Sequence, residues 1–154
     1  MLMKVFPHGT GEGDKPSRYL VRPDYPGRDT APPQILRGDL AMTRALIDSI
    51  ERRWKFTSGA LSWHPNDKVS EEQEEEVMDA FERVAFAGLE ADQRNILWVR
   101  HTHAGHHELH FLIPRLELSS GKDFNACPPG WQKDFDVFRD LFNWREGWAR
   151  PDDP

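Results

Sequence analysis

Apolar residues recur along this chain in two rhythms, every second position and every three to four, and these rhythms mark out alternating strands and helices. Residues 2–6 (Leu-Met-Lys-Val-Phe) read as a short strand, followed by a glycine-rich loop that opens at His8. A short helix is expected over residues 17–22 and stops at Pro23, because the residue before a proline is pushed out of the helical region. The proline-bearing stretch 24–33 reads as loop and residues 34–37 as a brief strand. Asp39 is placed to cap a helix running to about Arg53, with Leu40, Leu46, Ile47 and Ile50 on its buried side. Residues 57–63 alternate weakly, as a strand does. Ser70 and Gln73 have the spacing of a capping box, and Val77, Phe81, Val84 and Ala85 then predict a helix over 70–87 that leaves its glutamates in solvent. Residues 95–103 and 106–114 form two strand-like runs joined at Ala104-Gly105, a hairpin pattern. Trp131, Phe135, Phe138, Leu141, Phe142 and Trp144 predict a last helix over 131–148 with these residues on one buried face, and Trp98 is expected in the core from a strand. The interleaving points to an α/β (α+β) fold with one mostly antiparallel sheet and helices packed on it.

Composition narrows the picture. A chain of 154 residues fits one domain. The lone Cys127 excludes an internal disulfide or a multi-cysteine metal site and suits a reducing cytoplasm. No apolar run nears the roughly 20 residues of a membrane span. The net charge of −6 argues at first sight against a nucleic-acid partner. That average conceals a gradient: residues 64–92 carry a net −8, whereas residues 1–63 carry a net +3 and residues 93–154 a net −1. The acidity belongs to one helix, and the basic N-terminal third is free to meet an anion.

Five of the seven histidines fall within residues 101–110: His101, His103, His106, His107 and His110, with Glu108 among them. Strand side chains alternate between faces, so His101 and His103 share one face of the first hairpin strand, and Glu108 and His110 share one face of the second. In register, these imidazoles and the carboxylate converge into a site suited to a divalent cation such as Mn²⁺, Zn²⁺ or Fe²⁺, with positions left open for substrate. The plain alternative is a histidine-rich exposed turn without a ligand. Two chemistries fit the spacing. His101-x-His103-x4-Glu108 matches a cupin motif and would serve a metal-dependent oxygenase or isomerase, although the glycines flanking that motif are missing. The other set is His101, Glu108 and His110.

The only tyrosines, Tyr19 and Tyr25, lie behind the glycine-rich loop among Lys15, Arg18, Arg22 and Arg28. A phenol beside cations can attack a phosphodiester once its proton is drawn off; the competing reading is a packing tyrosine on a short helix.

At this point the sequence resembles a known family. The stretch Lys4-Val-Phe-Pro-His-Gly-Thr-Gly-Glu-Gly13, then Tyr19-Leu20 and Asp24, is similar to the first motif of plasmid mobilisation relaxases of the HUH superfamily. Phe56-Thr-Ser-Gly-Ala-Leu-Ser62, Phe81 to Leu89, Asp92-Gln, Leu97-Trp-Val and Glu108-Leu-His-Phe-Leu-Ile-Pro114 extend the likeness in order over roughly residues 3–125. Within the superfamily it is most like the relaxases of colicin E plasmids, whose metal triad reads His, Glu, Asn. The resemblance implies Tyr19 as the nucleophile, His101 and Glu108 as the first two metal ligands, and His110 where that subgroup has asparagine. His103 stands where an aspartate is usual, so the group that orients a ligand histidine must be absent or supplied from elsewhere. The resemblance further implies an HUH-like fold with the helices packed opposite the hairpin face, and a divalent cofactor, Mn²⁺ or Mg²⁺. It implies site- and strand-specific nicking of single-stranded transfer-origin DNA through a 5′-phosphotyrosine link. Relaxosome accessory proteins and a secretion-system coupling protein would be partners in a bacterial cytoplasm, without membrane insertion. Lys15, Arg18 and Arg22, with Arg28 near them, are the candidate DNA phosphate contacts, in which case the acidic helix turns away from DNA. Residues 1–154 are expected to form a single relaxase domain, with Pro151-Asp-Asp-Pro reading as a loop or as a stop within a longer protein. A DNA-binding relic without activity is a third reading beside the relaxase and the cupin-like enzyme.

Overall fold

The hairpin at residues 97–114 organises the molecule. In the computed structural model, which describes residues 1–151, strands β4 (Leu97–His101) and β5 (Glu108–Pro114) pair antiparallel with His101 opposite Glu108 and Val99 opposite His110. β5 pairs in turn with β3 (Phe56–Ser62), β3 with β1 (Leu2–Val5), and β4 with β2 (Gln34–Arg37). The result is one five-stranded sheet in the order β1-β3-β5-β4-β2, antiparallel throughout.

The period-2 alternation sends side chains to two different layers. Leu109, Phe111 and Ile113 of β5 and Trp98 of β4 enter a large core with helices α3 (Glu71–Ala85) and α4 (Trp131–Glu146). Phe81 sits at its centre, fully buried, with ring centroids 4.6 Å from Phe111, 5.0 Å from Trp98 and 5.1 Å from Phe135. Replacing it with alanine should cost about 3–5 kcal/mol. The alternate residues Leu97, Val99 and Leu112 form a smaller core with Leu20 of α1 (Asp14–Val21) and Ile47 of α2 (Leu40–Asp48). Both faces of the sheet therefore carry helices, whereas the expectation placed helices opposite the hairpin's site face alone. The acidic helix α3 lies on the face away from α1.

Local chemistry explains the helix ends. Ser70 and Gln73 form the expected reciprocal capping box on α3, and the Asp39 carboxylate accepts from the Met42 amide at 2.7 Å to start α2. α2 ends at Asp48, five residues before the expected Arg53. On α4, Phe135, Phe138 and Phe142 are buried, but Trp144 is 81% exposed and Leu141 is also exposed. At 100° per residue Trp144 stands well off the Phe135–Phe142 line, so the expectation that it joins the core is corrected. Trp98 is fully buried as expected. The glutamates of α3 are mostly solvated, with one correction. Glu74 is buried and pairs with Arg100 of β4 and, at 2.7 Å, with His107.

Candidate metal centre

The antiparallel register places His101, Glu108 and His110 on one face of the hairpin, at the end where α1 stops. One nitrogen from each histidine and a carboxylate oxygen of Glu108 all lie within 4.8 Å of one another, which makes this the one such group among the described residues. The imidazole centroids of His101 and His110 are 4.2 Å apart, and His110 Nε2 lies 3.5 Å from Glu108 Oε1, close enough for an ion pair but without hydrogen-bond geometry.

His101 is almost wholly buried, and its Nε2 lies 2.7 Å from the backbone oxygen of Leu20. A carbonyl only accepts, so Nε2 carries the proton and Nδ1 keeps its lone pair. That Nδ1 is buried without a hydrogen-bond partner, as are both ring nitrogens of His110. Buried nitrogens with idle lone pairs beside a carboxylate are the donor set a divalent cation requires, so the residues fit the implied metal. The Leu20 carbonyl supplies the orienting partner that the sequence left open at His103. Burial, reinforced by His110, pushes the His101 imidazole down to about 4, which keeps it neutral at physiological pH. Burial alone would raise the Glu108 carboxyl, but His110 and His106 outweigh it and hold it at about 2. The His101 Nδ1 lone pair and the Glu108 carboxylate are therefore available to a cation without first losing protons, with the ring nitrogens of His110 beside them.

His103 falls outside the strand. β4 ends at His101, and residues 102–107 form a longer connection than the expected turn at Ala104-Gly105. His103 there packs its ring 5.4 Å from Tyr25 and 5.2 Å from His101. The cupin-like set of His101, His103 and Glu108 is not assembled as a ligand group.

Tyr19 lies near the C-terminal end of α1, 42% exposed, with its ring centroid 6.4 Å from that of His101. A hollow of about 80 Å³ separates it from the hairpin, lined by Phe6, Pro16, Tyr19, Leu20 and His110 among others. Burial and the neighbouring Tyr25 push the Tyr19 hydroxyl above its ordinary value, and Arg28 acts in the opposite sense. Lys15, Arg18 and Arg22 are solvent-accessible on or just after α1; Arg18 pairs with Asp14 at 2.6 Å and Arg22 with Asp24 at 2.8 Å. Arg28, one of four cations that the sequence places near Tyr19, is instead almost wholly buried beneath the two tyrosine rings. The sequence signal for this fold-back is Pro26-Gly27, where Gly27 has φ +85 and the Arg28 amide bonds the Tyr25 carbonyl at 3.0 Å.

The chain matches the family model described as relaxase, MobA/VirD2-like, nuclease domain, over residues 32–143. Over its whole length it is 40% identical, across 157 aligned positions, to cryptic plasmid protein C of Neisseria gonorrhoeae, and it spans 74% of that protein. Across 122 positions it is 38% identical to DNA relaxase MbeA of Escherichia coli, an alignment that takes in 79% of this chain and 23% of MbeA. No solved structure matches.

Proposed function

The chain belongs to the family of MobA/VirD2-like relaxase nuclease domains, and we propose that it nicks single-stranded plasmid transfer-origin DNA through Tyr19 with His101, Glu108 and His110 as metal ligands. The observation that carries this reading is the Leu20 carbonyl on His101 Nε2, which joins the tyrosine's helix to the donor group one residue from Tyr19.

Tyr19 Oη would attack the scissile phosphorus; a P–O bond to tyrosine forms as the bond to the 3′-oxygen breaks. The departing oxygen leaves as a 3′-hydroxyl, taking up the equivalent of the phenol's proton, and the 5′-phosphate stays on the protein. Because one phosphodiester replaces another, the exchange is close to reversible and permits resealing. A divalent cation held by the three ligands would supply charge neutralisation at the non-bridging phosphate oxygens. The chain's own part is placement. α1 presents a half-exposed phenol across a small apolar hollow from His110. A wider groove of about 470 Å³ beside Glu108, lined in part by Lys4, Ser62, His64 and His106, offers the strand a path past the donors. Lys15, Arg18 and Arg22 flank the phenol and would hold backbone phosphates, which fix register without reading sequence.

The test is incubation with Mn²⁺ and a labelled single-stranded transfer-origin oligonucleotide, run on a denaturing gel. Wild type should give a protein–DNA adduct that EDTA prevents, and Tyr19→Phe should give none. An adduct formed by Tyr19→Phe would remove Tyr19 from the role.

A further inference from the structure

Arg28 is 1% exposed, yet no carboxylate forms a salt bridge with it among the described residues: Asp29, next to it in the chain, is exposed, and Asp24 is bonded to Arg22 at 2.8 Å. Its Nη1 donates to the backbone oxygens of Tyr19 at 2.5 Å and Arg22 at 2.9 Å, in and just beyond the last turn of α1. Its guanidinium carbon lies 5.1 Å from the centroid of the Tyr19 ring and 4.7 Å from that of Tyr25. Nε and Nη2 are buried with no acceptor. Capping alone does not account for this arrangement. Carbonyls at a helix end are served adequately by water, and burying a guanidinium without a counter-ion is costly.

We propose that Arg28 is a positioning residue for the tyrosine reaction, its guanidinium clamping Tyr19 between α1 and the 22–33 loop and setting a positive charge beneath the ring whose oxygen attacks. The proposal rests on the Tyr19 reading given above. Two features of the geometry support it. The same guanidinium grips the Tyr19 backbone and faces its side chain, so the ring has little freedom to swing away from the hairpin. Loss of the phenol proton, which attack requires, leaves negative charge on the tyrosine oxygen, and a fixed cation against the ring in a desolvated site favours that charge over the neutral resting state. Arg28 makes no hydrogen bond to the phenol oxygen, and its effect passes through the Tyr19 backbone and ring.

Arg28→Gln and Arg28→Lys in the full chain test it, with wild type and Tyr19→Phe alongside. The readouts are the single-turnover adduct rate at saturating Mn²⁺ and oligonucleotide, oligonucleotide Kd by anisotropy, and thermal unfolding. Arg28→Gln should slow adduct formation by about 100-fold, the scale expected when a reacting group is misplaced by roughly 1 Å, while Kd moves less than about threefold. Arg28→Lys, which keeps charge but loses the planar fork, should recover part of the rate. An Arg28→Gln as fast as wild type overturns the proposal. So does a parallel loss of rate, affinity and folded signal in both variants, which marks the residue as structural only. A wild type that forms no adduct overturns the tyrosine reading itself, whereas an active wild type beside an unimpaired Arg28→Gln overturns the positioning role alone.

Discussion

His101 donates its Nε2 proton to the Leu20 carbonyl at 2.7 Å, so the donor group and the helix that presents Tyr19 are tied together by a backbone atom. The bond fixes the tautomer of His101 and leaves its Nδ1 lone pair available to a metal. Mn²⁺ affinity should therefore follow the three clustered residues. His101→Ala, Glu108→Ala and His110→Ala should each lower it by at least about 10–100-fold, since even loss of an orienting partner costs that much. His103→Ala, whose ring packs on Tyr25 outside the strand, should change it by less than about threefold. Calorimetric titration of the four variants checks this. A loss in His103→Ala equal to that in His110→Ala would return the cupin-like ligand set.

The convergence of His101, Glu108 and His110 was legible because strand alternation and antiparallel pairing are both period-2 rules, and β5 keeps them without a bulge opposite β4. What failed there was the length of the turn. The sequence ran β4 on to His103, but the strand stops at His101, where the Thr102 carbonyl and Gly105 amide close a turn at 3.3 Å. Arg28 was legible as a cation near Tyr19 but not as a buried one. A loop rich in proline and charge reads as exposed, and only the Pro26-Gly27 reversal hints that it folds back. Glu74 was hidden for the opposite reason. Its neighbours Glu71, Glu72, Glu75 and Glu76 make the run look uniformly solvated, and its burial depends on Arg100 and His107 arriving from a strand and a turn distant in sequence.

The 22–33 loop should depend on Gly27. Its φ of +85 is unfavourable for any residue with a Cβ, and a Cβ built there would come within 3.0 Å of the His103 backbone oxygen. Gly27→Ala should cost about 1–2 kcal/mol, lowering Tm by roughly 2–8 °C for a domain of this size. Adduct formation should fall further than that stability loss explains, because the loop delivers Arg28 to Tyr19. Calorimetry beside the single-turnover assay separates the two effects. A variant with lowered Tm and an unchanged rate at a temperature where it is folded would show that the loop plays no part in the chemistry.

Glu74 should make the fold sensitive to acid. Burial alone would raise its carboxyl, but Arg100 and His107 outweigh that and hold it below its ordinary value. A carboxyl depressed in the folded state contributes stability that is fully present above its unfolded value, near 4.5, and is lost as pH falls through the folded value. Tm should therefore decline below about pH 4.5 more steeply in wild type than in Glu74→Gln, which has no proton to take up there. At neutral pH, Glu74→Ala strands Arg100, which is mostly buried. The cost should be about 2–3 kcal/mol, below the roughly 3–5 kcal/mol of a fully buried pair because Arg100 keeps some contact with water. Parallel acid limbs for wild type and Glu74→Gln would show that another carboxyl governs the decline.

The net charge of −6 leaves a specific expectation for DNA, because the acidic helix and Tyr19 lie on opposite faces of the sheet. Binding should be carried by the α1 side. Arg18 and Arg22 are paired with Asp14 and Asp24 on the surface, and such exposed pairs are worth about 0–1 kcal/mol, so either arginine can exchange its carboxylate for a phosphate at little cost. Each phosphate contact on a single strand contributes about 0.7 to the slope of log affinity against log salt. Lys15→Gln, Arg18→Gln and Arg22→Gln should each flatten that slope by up to about 0.7, whereas Arg83→Gln on the outer face of α3 should leave it unchanged. Anisotropy titrations of one oligonucleotide between about 50 and 200 mM salt resolve a difference of this size. A slope that responds to Arg83 and not to the α1 cations would place the DNA on the other side of the sheet, away from Tyr19 and the His101, Glu108 and His110 cluster.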